Sequence, residues 1–334
     1  MRYTKYLWLF IAVFYLIGCK NKSNELFVNT TIGEAFGTTY SVKFIDNQQY
    51  NVASCLDSIV EQINISMSTY QTDSDISKIN AGDSTVVVDA HFQKVFETAK
   101  TIHKQTNGAF DPTIGILVNA WDFGPSGSVV SLDSLKIDSL LQLVGLENVE
   151  LVDNKVHKRF KNTFLDFNAL AKGYAVDVFA DYMESLKLDN FLVEIGGEIR
   201  VKGRNVYKNK PWTIGVEDPN FDYTQSYSKV IPLTNQAMAT SGSYRKFKLD
   251  SDGNRYAHII NANTGYPLKS NLLSVSVIAD TCMEADAYAT AFMSMGLYRS
   301  KNYLKSNKDL KAFFIYESTN GLLRTLSVND FPES

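Results

Sequence analysis

The sequence predicts an α+β fold in which helices pack on mixed or antiparallel sheets. Short strand-length runs alternate with amphipathic helical stripes, and no low-complexity segment or short-period repeat interrupts them. A hydrophobic fraction of 45% over 334 residues suffices for a substantial core, arranged as one large domain or as two intimately packed halves. Thr39 to Phe44 alternates polar and apolar residues, as a half-buried strand does. Val52, Leu56, Ile59, Val60, Ile63 and Met67 recur at helical spacing. Phe92, Val95, Phe96, Ala99 and Ile102 form a second stripe, opened by Asp89 as a cap and closed at Asn107-Gly108. A third helix is expected from Ala169 to about Leu186, and buried-type strands at Phe191–Ile195, Trp212–Val216 and Leu273–Ala279. Thr281 and Glu284 read as a capping box for a last helix that stops at Gly296. Two softer stretches, around Pro125–Asp133 and Pro219–Ser228, read as surface loops.

The N-terminus carries an export signature. Arg2 and Lys5 precede an uncharged apolar stretch from Tyr6 to Ile17, too short for a membrane span, and Leu16-Ile17-Gly18-Cys19 follows. A cysteine directly after Leu-Ile-Gly resembles a bacterial lipobox, which makes Cys19 the lipidated mature N-terminus, with an uncleaved anchor helix as the alternative. The expected division is a lipoprotein signal peptide at 1–18, a lipid-anchored tether at 19–32 and one folded domain at 33–334. Cleavage removes Arg2 and Lys5 from 33 basic residues and nothing from 36 acidic ones, leaving a net charge of about −5. That mildly acidic balance, without a long basic run, argues against nucleic acid as a partner. Beyond Cys19 only Cys55 and Cys282 remain, so no metal-ligand cysteine spacing exists. Cys55 falls on an apolar helix side, and buried free thiols are expected, with a Cys55–Cys282 bridge as the alternative.

Several runs look built for a ligand. Asp286 and Thr290 stand one turn apart in ADAYATAFMSMG, otherwise small or apolar, so an acid and a hydroxyl share one face of a buried helix. Hard oxygens at this spacing suit Mg²⁺; hydrogen bonds to a neighbouring loop are the plainer reading. In GAFDPT, from Gly108 to Thr113, the Phe110 ring could lie against a flat heterocycle with Asp111 accepting from its donors; equally, Phe110 could plug the core and Asp111 cap a turn. Gly196-Gly197 after an apolar strand allows close backbone approach, and Thr240-Ser241-Gly242 is a small hydroxyl-rich bend. His258, in YAHIINANTG, can serve as a base at neutral pH or simply hold a strand edge. His91 and His103 fall on a helix, and His157 adjoins a charged surface stretch. No GxSxG elbow and no HExxH helix supports a serine hydrolase or a zincin.

Taken in order, the blocks GTTYSV, STYQTDSDISKIN, TNGAFDPTIG, DFNALAKGYAVD, VEIGGEIRVKG, PWTIGVEDP, ATSGSYRKF, HIINANTGYPL and ADAYATAFMSMG resemble the ApbE family, the FAD:protein FMN transferases, many of them bacterial lipoproteins. The resemblance runs from about Gly33 to Gly296. It implies a single compact fold of two packed α/β lobes with a flavin site between them. It places Phe36, Tyr70, Ala109, Phe110 and Asp111 along the FAD pocket, Asp166 and Lys172 on the nucleotide, and Ile260 beside His258. It puts Mg²⁺ on Asp286, Thr290 and the main-chain oxygen of Ala169, a ligand that rests on the resemblance alone. The implied reaction moves FMN from FAD to a threonine or serine hydroxyl of an acceptor protein and releases AMP, with His258 or a carboxylate as base. FAD pyrophosphatase activity and non-catalytic flavin binding are the alternatives. The implied acceptors are subunits of membrane redox complexes of the NADH:quinone reductase kind, so the enzyme is expected on the outer, periplasmic side of a bacterial membrane.

The sequence departs from the family pattern at four places. Phe36 stands where methionine is usual, and Asn168 replaces a common glycine beside Ala169. Asn261-Ala262 replaces Asp-Pro after His-Ile-Ile, which is expected to loosen a turn. Ala289 takes the place of a second acid seen in some members, leaving Asp286 as the sole carboxylate of that pair.

Overall fold

Side-chain periodicity sets the layers. In a computed structural model, the described residues are 25–125, 132–219, 226–243, 247–249 and 255–333. Eight strands form one antiparallel sheet in the order β1 (Phe27–Ala35), β2 (Thr38–Asp46), β5 (Phe191–Ile195), β6 (Glu198–Lys202), β9 (Ala237–Gly242), β12 (Leu272–Ala279), β13 (Lys311–Glu317) and β14 (Leu323–Val328). Three separate hairpins add β3 (Val149–Val152) with β4 (Lys155–Lys158), β7 (Trp212–Glu217) with β8 (Tyr227–Leu233), and β10 (Phe247–Leu249) with β11 (Arg255–Ala257).

Alternation along β12 sends Val275, Val277 and Ala279 into the main core, and Ile278 into a second cluster on the opposite face. Over the first face lie α1 (Ala53–Met67), α2 (Asp75–Ala81), α3 (Ala90–Gln105), α6 (Ala171–Ser185) and α7 (Cys282–Ser306). The β7–β8 hairpin covers the second face with Trp212, Ile214, Val216, Ile231 and Leu233. A smaller apolar cluster joins α4 (Gly115–Ala120) to α5 (Ser134–Leu141) through Leu117, Ala120, Ile137 and Leu140.

Both expected caps form. Asp89 accepts from the Phe92 amide at 2.8 Å, and Thr281 from Glu284 at 3.3 Å, while the Thr281 hydroxyl donates to the Glu284 carboxylate. The domain starts earlier than expected, because β1 takes in residues 27–32 of the anticipated tether. As an edge strand with one face in solvent, it carries only a faint apolar signal. Gly296 does interrupt the last helix, at φ 74° and ψ 169°, yet helical structure resumes beyond it to Ser306. The Ser300 hydroxyl donates to the Gly296 carbonyl at 2.8 Å across the break. Cys282 is buried but Cys55 is exposed, and both thiols are free. Thus neither a bridge nor a buried Cys55 is found. Most of the two anticipated surface loops lies outside the described residues, as do Cys19 and the export signature. No helix among the described residues is long and apolar enough to cross a membrane.

Candidate active site

The closest approach of two helices builds the centre of the site. A Cβ on Gly173 of α6 would overlap the Cys282 carbonyl of α7 and stand 2.9 Å from Asp286 Cβ, so only glycine admits this crossing. Asp286 is thereby pressed against the first turn of α6, where the Gly173 amide donates to its Oδ2 at 3.1 Å. Amides in the first turn of a helix have no acceptor within it, and Asp286 supplies one for Gly173. Ala169 lies immediately before the Leu170 cap of that turn. Thr290, one turn beyond Asp286, is half-buried. Asp286 is 6% exposed, and burial, with Glu198 as a second nearby negative charge, pushes its carboxyl up to about 8 despite Lys172 and the Gly173 amide.

Two further acids complete this cluster, and neither stood out in the sequence. Lys172 donates to Glu198 Oε1 at 2.6 Å. Burial pulls its ammonium down, but the carboxylates of Glu198 and Asp286 outweigh it and hold the group above the usual lysine value. Asp177, one turn after Gly173, accepts from the Cys282 and Met283 amides at 2.9 Å each and from Arg200 at 3.0 Å. It therefore satisfies the first turn of α7 from another helix. Burial still raises its carboxyl above the ordinary aspartate range. Asp177→Ala would leave Arg200 and two helix-end amides without this partner; we expect a loss of about 2–4 kcal/mol, read by urea unfolding. The signal was present: an acid four residues after a glycine, inside the otherwise uncharged run from Gly173 to Ala180.

In the GAFDPT turn the Phe110 and Asp111 side chains are both buried. Phe110 is 2% exposed and belongs to the main core. Asp111 is buried, and its Oδ1 accepts from the Thr113 amide (2.8 Å) and hydroxyl (2.6 Å). Asp111 Oδ2 faces the His103 ring, 3.5 Å from Nδ1. Ile260 is likewise buried, against Leu117, Ala120, Ile137 and Leu140.

Tyr70, by contrast, is 62% exposed and lies close enough to Asp166 for that carboxylate to raise its hydroxyl, after burial of the phenol itself. Asp166 is tied to the neighbouring turn, its amide donating to the Pro112 carbonyl at 2.7 Å. Asn168 donates its amide to Asp166 Oδ1 (2.8 Å) and its side chain to Thr69 (3.3 Å). It thus links the Tyr70 and Asp166 segments in a way the usual glycine could not. Phe36 sits at φ 53° in the two-residue turn between β1 and β2. The turn between β5 and β6, Gly196-Gly197, is its neighbour, with the Gly196 amide donating to Thr39 at 3.1 Å.

His258 is half-buried, with its ring 6.3 Å from Phe123 in an edge-on arrangement. The loop after it is firm rather than loosened. Asn261 Oδ1 accepts from the Asn263 amide at 2.8 Å, doing the turn-forming work of an aspartate, and Trp121 donates to the Gly265 carbonyl at 2.8 Å. Ala289 is fully buried, in the main core.

The arrangement has solved counterparts. The chain is 34% identical to the flavin transferase ApbE from Vibrio cholerae, with a TM-score of 0.81 over 92% of this chain and 99% of that one. The apo flavinyl transferase ApbE of Pseudomonas stutzeri gives 0.82 at 29% identity, over 92% and 96%. By sequence it is 36% identical, over 303 residues and 88% of each chain, to a Vibrio cholerae protein named FAD:protein FMN transferase. A family model described as the ApbE family matches residues 36–314. The α6–α7 crossing, the antiparallel sheet and these matches agree, and the chain belongs to the ApbE family.

Proposed function

We propose that this protein transfers FMN from FAD to a protein hydroxyl, releasing AMP. The observation that carries the reading is the buried Asp286 carboxylate held against the start of α6, on a fold shared with flavin transferases. Asp286, Thr290 and the Ala169 carbonyl would hold Mg²⁺. Their donor set fits: three hard oxygens, one of them a buried acid. Bound there, the cation would neutralise charge building on the diphosphate oxygens. Lys172, next to it, would supply a second positive charge. Tyr70, Asp166, Phe36 and the Ala109–Asp111 main chain would bind the nucleotide.

In the reaction, an acceptor threonine or serine oxygen forms a bond to the FMN phosphorus. The bond from that phosphorus to the AMP oxygen breaks, and AMP departs with the electron pair. His258 would take the hydroxyl proton. Incubation with FAD, Mg²⁺ and an acceptor subunit should yield fluorescent acceptor and AMP. Free FMN with unlabelled acceptor would instead show a pyrophosphatase, and intact bound FAD would show a carrier. His258→Ala should slow transfer about 10²–10⁴-fold with FAD affinity nearly unchanged; lost binding, measured by titration, would make the residue structural.

For location we infer lipidation at Cys19, with the domain on the periplasmic side and acceptors among membrane redox subunits. The support is the Leu-Ile-Gly-Cys run after a short apolar segment. Cys19→Ser should move the protein from the detergent phase to the aqueous phase on partitioning, and an unchanged distribution would refute the anchor.

A further inference from the structure

His103 lies in the last turn of α3 and plays no part in the chemistry above. The chain leaves that helix through a reversal in which the Gly108 amide donates to the His103 carbonyl (2.9 Å) and the Asn107 amide to Lys104 (3.3 Å). Asn107 and Gly108 take φ of 51° and 75°, and the returning backbone passes over the His103 ring. A Cβ on Gly108 would rest 3.6 Å from the ring's Cε1. Beyond it, His103 Nδ1 is 3.0 Å from the Phe110 carbonyl and 3.5 Å from Asp111 Oδ2, while Nε2 faces Glu147 at 3.8 Å. A carbonyl only accepts, so Nδ1 carries the proton and donates to Phe110. The imidazole holds the Phe110 carbonyl and lies beside Asp111, while the Thr106 hydroxyl accepts from the Phe110 amide at 3.2 Å. Since the Phe110 ring is in the core and Asp111 Oδ1 is taken by Thr113, the position of this turn's backbone matters to a ligand bound there.

We propose that His103 is a positioning residue for FAD, fixing the Ala109–Asp111 main chain through the Nδ1–H bond to Phe110. The inference rests on reading that segment as part of the nucleotide site. Asparagine can place an amide N–H at nearly the same point as Nδ1; glutamine carries it one bond further and cannot. His103→Gln should therefore weaken FAD binding about tenfold in titrations, with kcat at saturating FAD within about twofold of the parent. His103→Asn should restore affinity to within about threefold. Hydrogen exchange provides a second readout that needs no turnover: the amides of residues 108–111 should exchange faster in the glutamine variant and recover in the asparagine one. Equal FAD affinity in both variants and the parent would overturn the proposal. So would faster exchange without weaker binding, since the turn would then be loosened at no cost to the ligand. Failure of the parent itself to bind FAD would instead remove the functional reading beneath it. Because glutamine and asparagine are similarly polar, a general folding defect would lower both variants alike, and that outcome also counts against it.

Discussion

Asp286→Asn should reduce Mg²⁺-dependent FAD cleavage at least about 10³-fold, because it removes the one carboxylate that would face the cation. The same substitution should leave the fold intact and even improve it without metal. The sign follows from proton binding. The folded state holds a proton on Asp286 up to about pH 8, whereas the unfolded chain releases it near the ordinary aspartate value. Stability from this group is therefore full below about pH 4 and is lost as pH rises through 8. The slope approaches ~1.4 kcal/mol per pH unit within that window. Thermal melts of the chelator-treated parent should fall between pH 5 and 8, and the asparagine variant should stay flatter. Retained cleavage by Asp286→Asn would refute the cation site; equal pH slopes would refute the buried charge as their cause.

Gly173→Ala is expected to have the second-largest effect, against its local propensity. Alanine would favour an isolated helix by about 1 kcal/mol. Here, however, the added carbon meets the Cys282 carbonyl and Asp286 Cβ, which belong to the opposing helix itself and cannot swing aside. Overpacking of this kind costs about 1–3 kcal/mol, so the net change is a loss. In a chain of this size the remainder, up to about 2 kcal/mol, lowers Tm by up to about 3 °C. Activity should drop further, about 10²-fold, since forcing α6 and α7 apart carries Asp286 away from Ala169. A variant as stable and active as the parent would mean that the crossing is softer than drawn here.

Periodicity made the large elements legible. The helices capped by Asp89 and Thr281 and the strands at Phe191 and Leu272 lie where apolar spacing and turn residues put them. Short pieces such as α2 and α4 were unreadable because six or seven residues give a helical period too few repeats. Asp286 and Thr290 stood out because polar atoms in an apolar helix need a reason. Asp177 obeys the same logic, and Glu198 hides because it alternates with apolar residues in a strand where an exposed acid would look identical. Cys55 was misjudged since it sits at the margin of its stripe, where one step of helix rotation decides exposure. Gly173 depends on a partner 113 positions away, and no local pattern announces it.

The α6–α7 crossing also governs when the site can exist. Asp177 reaches Cys282 across 105 positions of chain, and Gly173 reaches Asp286 across 113. No nearby stretch can substitute for either partner, so closing these contacts carries the entropy of a long loop. Strands β5 to β12 lie between the two helices in the chain, and their pairing bridges that separation. A growing polypeptide that ends before the second helix owns half of each contact and none of the centre, which makes this acid pocket a late product of assembly.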